Sequence, residues 1–186
     1  MHKLASVFLF IGLANGLASE TKFAPTDWPN WRGLTSDGQA PLVDGLPTEW
    51  SETKNVVWKT PIPGRGHSTP TVVGERIYLA TADEDEMFQA VLCIDKADGK
   101  VVWQTKVHEG QFAIGLNKHA SHAGTVVVHD GERLYVNFVI GNQAFASAIG
   151  LDGKILWQKP IGKYKVHQGY GSSPMVYRDK IGRAHV

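Results

Sequence analysis

The chain has 186 residues, 42% hydrophobic and 20% charged, which is enough apolar material for a core and too little charge for a disordered chain. Lys and Arg number 19 against 18 Asp and Glu, and no basic block interleaves with aromatic residues, so nucleic acid and anionic membrane surfaces are disfavoured as partners. Cys93 is the only cysteine and can form no internal disulfide; between Val91, Leu92 and Ile94 it reads as a small core hydrophobe.

Residues 1–18 read as a secretory signal. Lys3 supplies the positive start, residues 4–14 form an apolar run too short to span a bilayer, and Gly16 and Ala18 are the small residues before cleavage. A buried N-terminal helix is the competing reading, but the polar, Pro-containing stretch that follows gives it no continuation. Export to the periplasm or outside the cell is expected, with no membrane span after cleavage. Residues 19–54 show no period of 2 or 3.6 and read as an arm anchored by Trp28, Trp31 and Trp50, since indoles left in water forgo a large apolar area.

From residue 55 onward the chain reads as short strands broken by Gly, Pro and Asp turns: 56–62, 69–73, 76–82, 88–94 and 101–107, then 124–129, 133–140, 144–150 and 155–161. No segment offers a helix. Asp98-Gly99-Lys100-Val101-Val102-Trp103 returns as Asp152-Gly153-Lys154-Ile155-Leu156-Trp157, and Asn55-Val56-Val57-Trp58 repeats the second half. The tryptophans thus fall 45 and 54 residues apart, a spacing that points to propeller blades or a similar stacked array. Gly74-Glu75-Arg76-Ile77-Tyr78 answers Gly131-Glu132-Arg133-Leu134-Tyr135 between the first and second strands of each unit.

The expected fold is all-β, a partial β-propeller with four-stranded antiparallel blades over 67–109 and 120–162 and flanking strands within 55–180. Strand 56–62 is a fourth strand without its own first three, and 172–177 begins a third unit, so the chain reads as a C-terminally truncated fragment. Residues 181–186 resemble translated adapter sequence and are expected to be a non-native tail.

Asp95, Gly99, Lys100 and Trp103 fall on a blade motif that resembles the PQQ-like (pyrroloquinoline quinone dehydrogenase-like) β-propeller repeats. The second copy keeps Gly153, Lys154 and Trp157, and is one residue shorter. Cys93 and Asp98 depart from the residues common at their positions. The Ser-x-Pro starts at Ser68 and Ser172 and the leading Trp28-Pro29-Asn30-Trp31-Arg32-Gly33 are similar to exported bacterial members, and the resemblance covers residues 28–180. It implies that Trp58, Trp103 and Trp157, with Asp95, Gly99 and Gly153, are structural and dock one blade on the next.

The resemblance also raises an enzyme, because quinoprotein dehydrogenases of this fold hold PQQ and Ca²⁺ over the ring axis. Asp83-Glu84-Asp85-Glu86 is the dense acidic cluster, and its place between strands reads as a solvated loop rather than a Ca²⁺ site. Gly64-Arg65-Gly66 is too short for a phosphate loop, and no common hydrolase motif occurs. The favoured reading is a binding or scaffold module, similar to the periplasmic propeller lipoprotein of outer-membrane assembly, that takes a protein or small-molecule ligand on a propeller face. No lipid-accepting Cys follows the expected cleavage point. A PQQ-dependent alcohol or sugar dehydrogenase is the alternative, and no catalytic residue is assigned.

His67, His119, His122 and His167 each precede a first strand, where propeller connections emerge near the axis. They are candidates for a shared transition metal or anion, with Arg65, Lys118 and Lys165 on the same rim. The other reading makes them loop residues that bond neighbouring backbone.

Overall fold

A computed structural model describes residues 22–42, 44–112, 114–165 and 168–183. The expected signal segment, His167 and residues 184–186 lie outside the described residues.

Among the described residues, ten strands form three antiparallel sheets. β1 (Thr71–Val73), β2 (Arg76–Asp83), β3 (Phe88–Asp95) and β4 (Val101–Glu109) make the first blade in sequential order. β5 (Val128–His129), β6 (Arg133–Ile140), β7 (Gln143–Gly150) and β8 (Ile155–Lys163) make the second, and β9 (Met175–Tyr177) with β10 (Lys180–Gly182) opens a third. No helix occurs among the described residues, and the sheets are those of a partial β-propeller.

The repetition extends to irregularities. The β3–β4 ladder shifts register at Gln89/Ala90 and Cys93/Ile94, and β7–β8 shifts at the equivalent Ala144/Phe145 and Ala148/Ile149. Bulges of this kind add local twist, and both blades carry the irregularities at matching places on the outer edge.

The core lies between the blades. Tyr78, Ala80 and Ala82 of β2 and Val91 and Cys93 of β3 meet Leu134, Val136 and Phe138 of β6 and Ile149 of β7. β3 is buried along nearly its whole length, with Val91 and Cys93 packed toward the second blade, whereas the outer β4 and β8 are largely exposed. Burial pushes the Cys93 thiol up, as befits a core thiol.

Tryptophans join the seams. Trp58 donates from Nε1 to the Lys96 carbonyl at 2.9 Å while Thr60 donates to Gly99 at 2.5 Å. One blade on, Trp103 donates to Leu151 at 3.0 Å and Thr105 to Gly153 at 2.5 Å. Asp95 shapes the first of these turns, accepting from Ala97 N at 2.9 Å and pairing with Arg76. Trp157 stands on β8 against Tyr135 as Trp103 stands against Tyr78.

Two sequence expectations change. Residues 56–62 form no strand: a strand needs a ladder, and this segment is held to the first blade by the Trp58 and Thr60 side chains. The inner strands also begin later than expected, at Thr71 and Val128. Upstream of those points the backbone turns to the neighbouring blade, with His67 N bonded to Ala123 O at 2.9 Å and Val126 N to Ser173 Oγ at 2.9 Å.

Candidate ligand-binding cavity

The arm lies across the inner strands. Trp28 pairs with Val72 through bonds of 2.6 and 3.0 Å, and Pro29 O accepts from His129 N at 2.8 Å, so one short segment bridges both blades. Asp27 fixes its start by accepting from Gly74 N at 2.9 Å and Ala24 N at 2.8 Å. The Trp28 indole folds over Gly33, where any Cβ would meet it at 2.7 Å. The other two arm tryptophans differ from expectation: Trp31 is 58% exposed and Trp50 67% exposed. Trp31 takes the Arg32 guanidinium on its face at 4.9 Å, and around Trp50 the bonds run within the arm, from Asn55 Nδ2 to Glu49 O and from Ser51 N to Lys54 O.

Between this arm and the inner strands opens a cavity of about 930 Å³. The first blade contributes His67 and Thr69, the second Gly124, Val126 and the run Val128 to Asp130, and the third sheet the continuous run Gly171 to Val176. Trp31 and Arg32 also face it.

Asp130 is already engaged. Burial alone would raise it, but the N–H groups of Glu132 and Arg133 and the Tyr135 hydroxyl, at 2.8 to 2.9 Å, hold it below the usual carboxylate range. Burial, with the Asp130 partner, pushes Tyr135 up to about 12. Burial lowers the pKa of His129, whose Nδ1 accepts from Gly131 N at 2.8 Å.

The structure gives the four sequence-chosen histidines different surroundings. His67 lines the cavity, exposed. His119 is exposed in a turn made by Asn117 Oδ1, which accepts from its N–H at 2.9 Å. His122 stacks on Phe112 with centroids 4.3 Å apart, and burial lowers its pKa. His167 lies outside the described residues. Among the described residues no group of three or more His, Cys, Asp or Glu is placed to hold a metal ion. Arg65 spans the blades, donating to the Lys118 and Ala120 carbonyls with Glu84 at 3.9 Å; Lys118 and Lys165 are exposed.

Sequence reasoning missed Arg32, Thr69 and Ser173 as lining residues. Their signal was present in the Trp-Arg-Gly and Ser-x-Pro segments, but which side chains face the axis depends on the inner-strand register.

A family model of PQQ-like repeats, described as Outer membrane protein assembly factor BamB, matches residues 42–181. The chain belongs to this PQQ-like repeat family. No curated protein matches it. Among PQQ-like repeats the fold does not fix the chemistry, so the cavity itself must be tested against the quinone and its Ca²⁺. Ca²⁺ takes about six to eight oxygen ligands, several of them carboxylates. Here Asp130 is the acidic residue lining the cavity, and its oxygens are taken by backbone and tyrosine. The residues present do not fit that pair.

Proposed function

We propose that this PQQ-like repeat chain is exported and acts as a binding module, holding a protein or small-molecule ligand at the cavity between its arm and inner strands. The carrying observation is the arm itself: Trp28 and Pro29 bond to β1 and β5 at once, and the residues that follow, Asn30, Trp31 and Arg32, line a cavity of about 930 Å³. That volume lies in the range of small-ligand sites, and its mixture of apolar walls with a few polar groups suits recognition. The matched family's description as an assembly factor supports the same reading, as does the poor fit of the carboxylate set to Ca²⁺.

Two assays test it on the full chain. A photo-crosslinking residue at position 69, in the exporting cell, is expected to give a discrete adduct that the same residue at position 102, on β4, does not give. Equal labelling at both positions overturns a cavity-centred binding role. Separately, incubation with PQQ and Ca²⁺ is expected to give no substrate-dependent dye reduction with alcohols or aldoses. Turnover would establish the dehydrogenase instead.

A further inference from the structure

Three features of the cavity converge on one ligand chemistry. The first is Arg32. Its guanidinium stacks on Trp31 at 4.9 Å and has no side-chain hydrogen bond or ion pair among the described residues, while nearby Asp37 is turned to Thr35 and Gln39 N. Arg32 lines the cavity, and its guanidinium, a fixed fork of five N–H donors of the kind that pairs bidentately with a carboxylate, has no acceptor among the described residues.

The second is a gap. His67, Gly124 and Gly171 occupy equivalent positions four residues before three successive inner strands and line the cavity. Neither glycine adopts the left-handed backbone that would require one, and a Cβ at Gly171 would meet nothing within 4 Å. At Gly124 a Cβ would come within 3.4 Å of the Tyr170 carbonyl oxygen, but at Gly171 the side chain is missing with open space around it, beside the cavity it lines.

The third is the wall. Met175, 62% exposed, offers apolar surface, and the almost fully buried Val126 and Val128 back the wall beside it. Thr69 contributes a hydroxyl, and Ser173, whose oxygen already accepts from Val126 N, keeps its proton to donate. The competing negative charge, Asp130, is bonded by Glu132 N, Arg133 N and Tyr135, and the second guanidinium of the lining, Arg183, donates to Ile161 O at 2.8 Å.

We propose that the cavity binds a small organic carboxylate with an apolar body, its carboxylate on Arg32 and its body against Trp31 and the Val126, Val128 and Met175 wall. This rests on the reading of the cavity as the binding site and specifies its ligand class. A charged fork set beside an indole and aliphatic side chains rewards a ligand that carries both characters, and rewards neither character alone to the same degree.

Isothermal titration of the full chain with hexanoate, acetate and 1-hexanol tests the proposal. Hexanoate is expected to bind at least roughly tenfold more tightly than either comparison compound, because only it makes both the charge-assisted bond and the apolar contact. Arg32→Gln should weaken hexanoate roughly tenfold or more and leave 1-hexanol unchanged, with Arg32→Lys in between. Gly171→Val, which fills the gap without touching Arg32, should also abolish hexanoate binding while the thermal melt stays as in the parent. The proposal is overturned by absence of hexanoate binding, by equal affinity for 1-hexanol, or by indifference to both substitutions. If hexanoate fails while position 69 still crosslinks selectively, the ligand class falls and the binding role stands.

Discussion

The Trp103 indole occupies the space that a side chain at Gly153 would need: a Cβ built there lies 2.9 Å from Trp103 Cδ2 and 3.1 Å from Thr105 Oγ1. Gly99 stands in the same relation to Trp58 at 2.5 Å, so the seam between blades is a repeated fit of indole onto glycine. Both glycines are also left-handed, with φ of +73° at Gly99 and +86° at Gly153. Backbone and packing thus impose the same residue.

Gly153→Ala should therefore cost more than a left-handed glycine elsewhere. Gly141 has φ +59° and open space around it, so Gly141→Ala is expected to lose about 1 kcal/mol from backbone strain alone. Gly153→Ala adds an overlap with the indole and is expected to lose about 2–4 kcal/mol. Urea unfolding of the two variants would compare them, and equal midpoints would show that the indole is not seated on the turn.

The tryptophans should not be equivalent. Trp103→Phe removes the bond to Leu151 O and is expected to cost about 1–2 kcal/mol. Trp157 has no Nε1 acceptor among the described residues, and Trp157→Phe is expected to stay within about 0.5 kcal/mol of the parent. Matched chemical denaturation curves would decide.

Stability should fall on mild acidification. His108 sits against Phe145 and Phe138, with centroids 5.1 and 6.2 Å away, and burial lowers its pKa below 6.5. Burial likewise lowers His122 and His129. A histidine depressed in the folded state binds its proton more readily when unfolded, so its contribution is present above about pH 6.5 and is lost as pH falls toward the folded value. Melting temperature is expected to drop between pH 7 and pH 5, and His108→Gln should flatten part of that slope. A flat profile in the parent would contradict the burial of these rings.

The fold was legible because its signals are local. Asp152-Gly153 and Gly131-Glu132 write their turns into neighbouring residues, and alternation between them marks the strands. The bulges at Cys93/Ile94 and Ala148/Ile149 were not legible, since they answer to outer-strand partners many residues away. Residues 56–62 carried a strand's composition, but pairing is a property of two segments, and side chains alone hold this one. The candidate site was less legible still. Trp28, Trp31 and Trp50 looked alike in sequence, yet only Trp28 lies where its backbone completes a bridge to Val72. Arg32 gained its place at the cavity from that distant pairing.

Arm anchoring can be tested through Asp27, whose carboxylate accepts from Gly74 N and Ala24 N. Asp27→Ala leaves those two N–H groups without their acceptor and is expected to cost about 1–3 kcal/mol, read as a lower denaturation midpoint. An unchanged midpoint would mean that the arm contributes nothing to the folded state.

The most direct test of the arm as part of the binding cavity is hydrogen–deuterium exchange on the full chain, resolved to the amides of Trp28, Val72 and His129. These three N–H groups are donors in the arm-to-strand bonds. They are expected to be protected to a degree approaching the β2–β3 ladder, and Asp27→Ala should release them while leaving β2 and β3 protected. Exchange of all three at the rate of an open loop, with the ladder intact, would contradict the account.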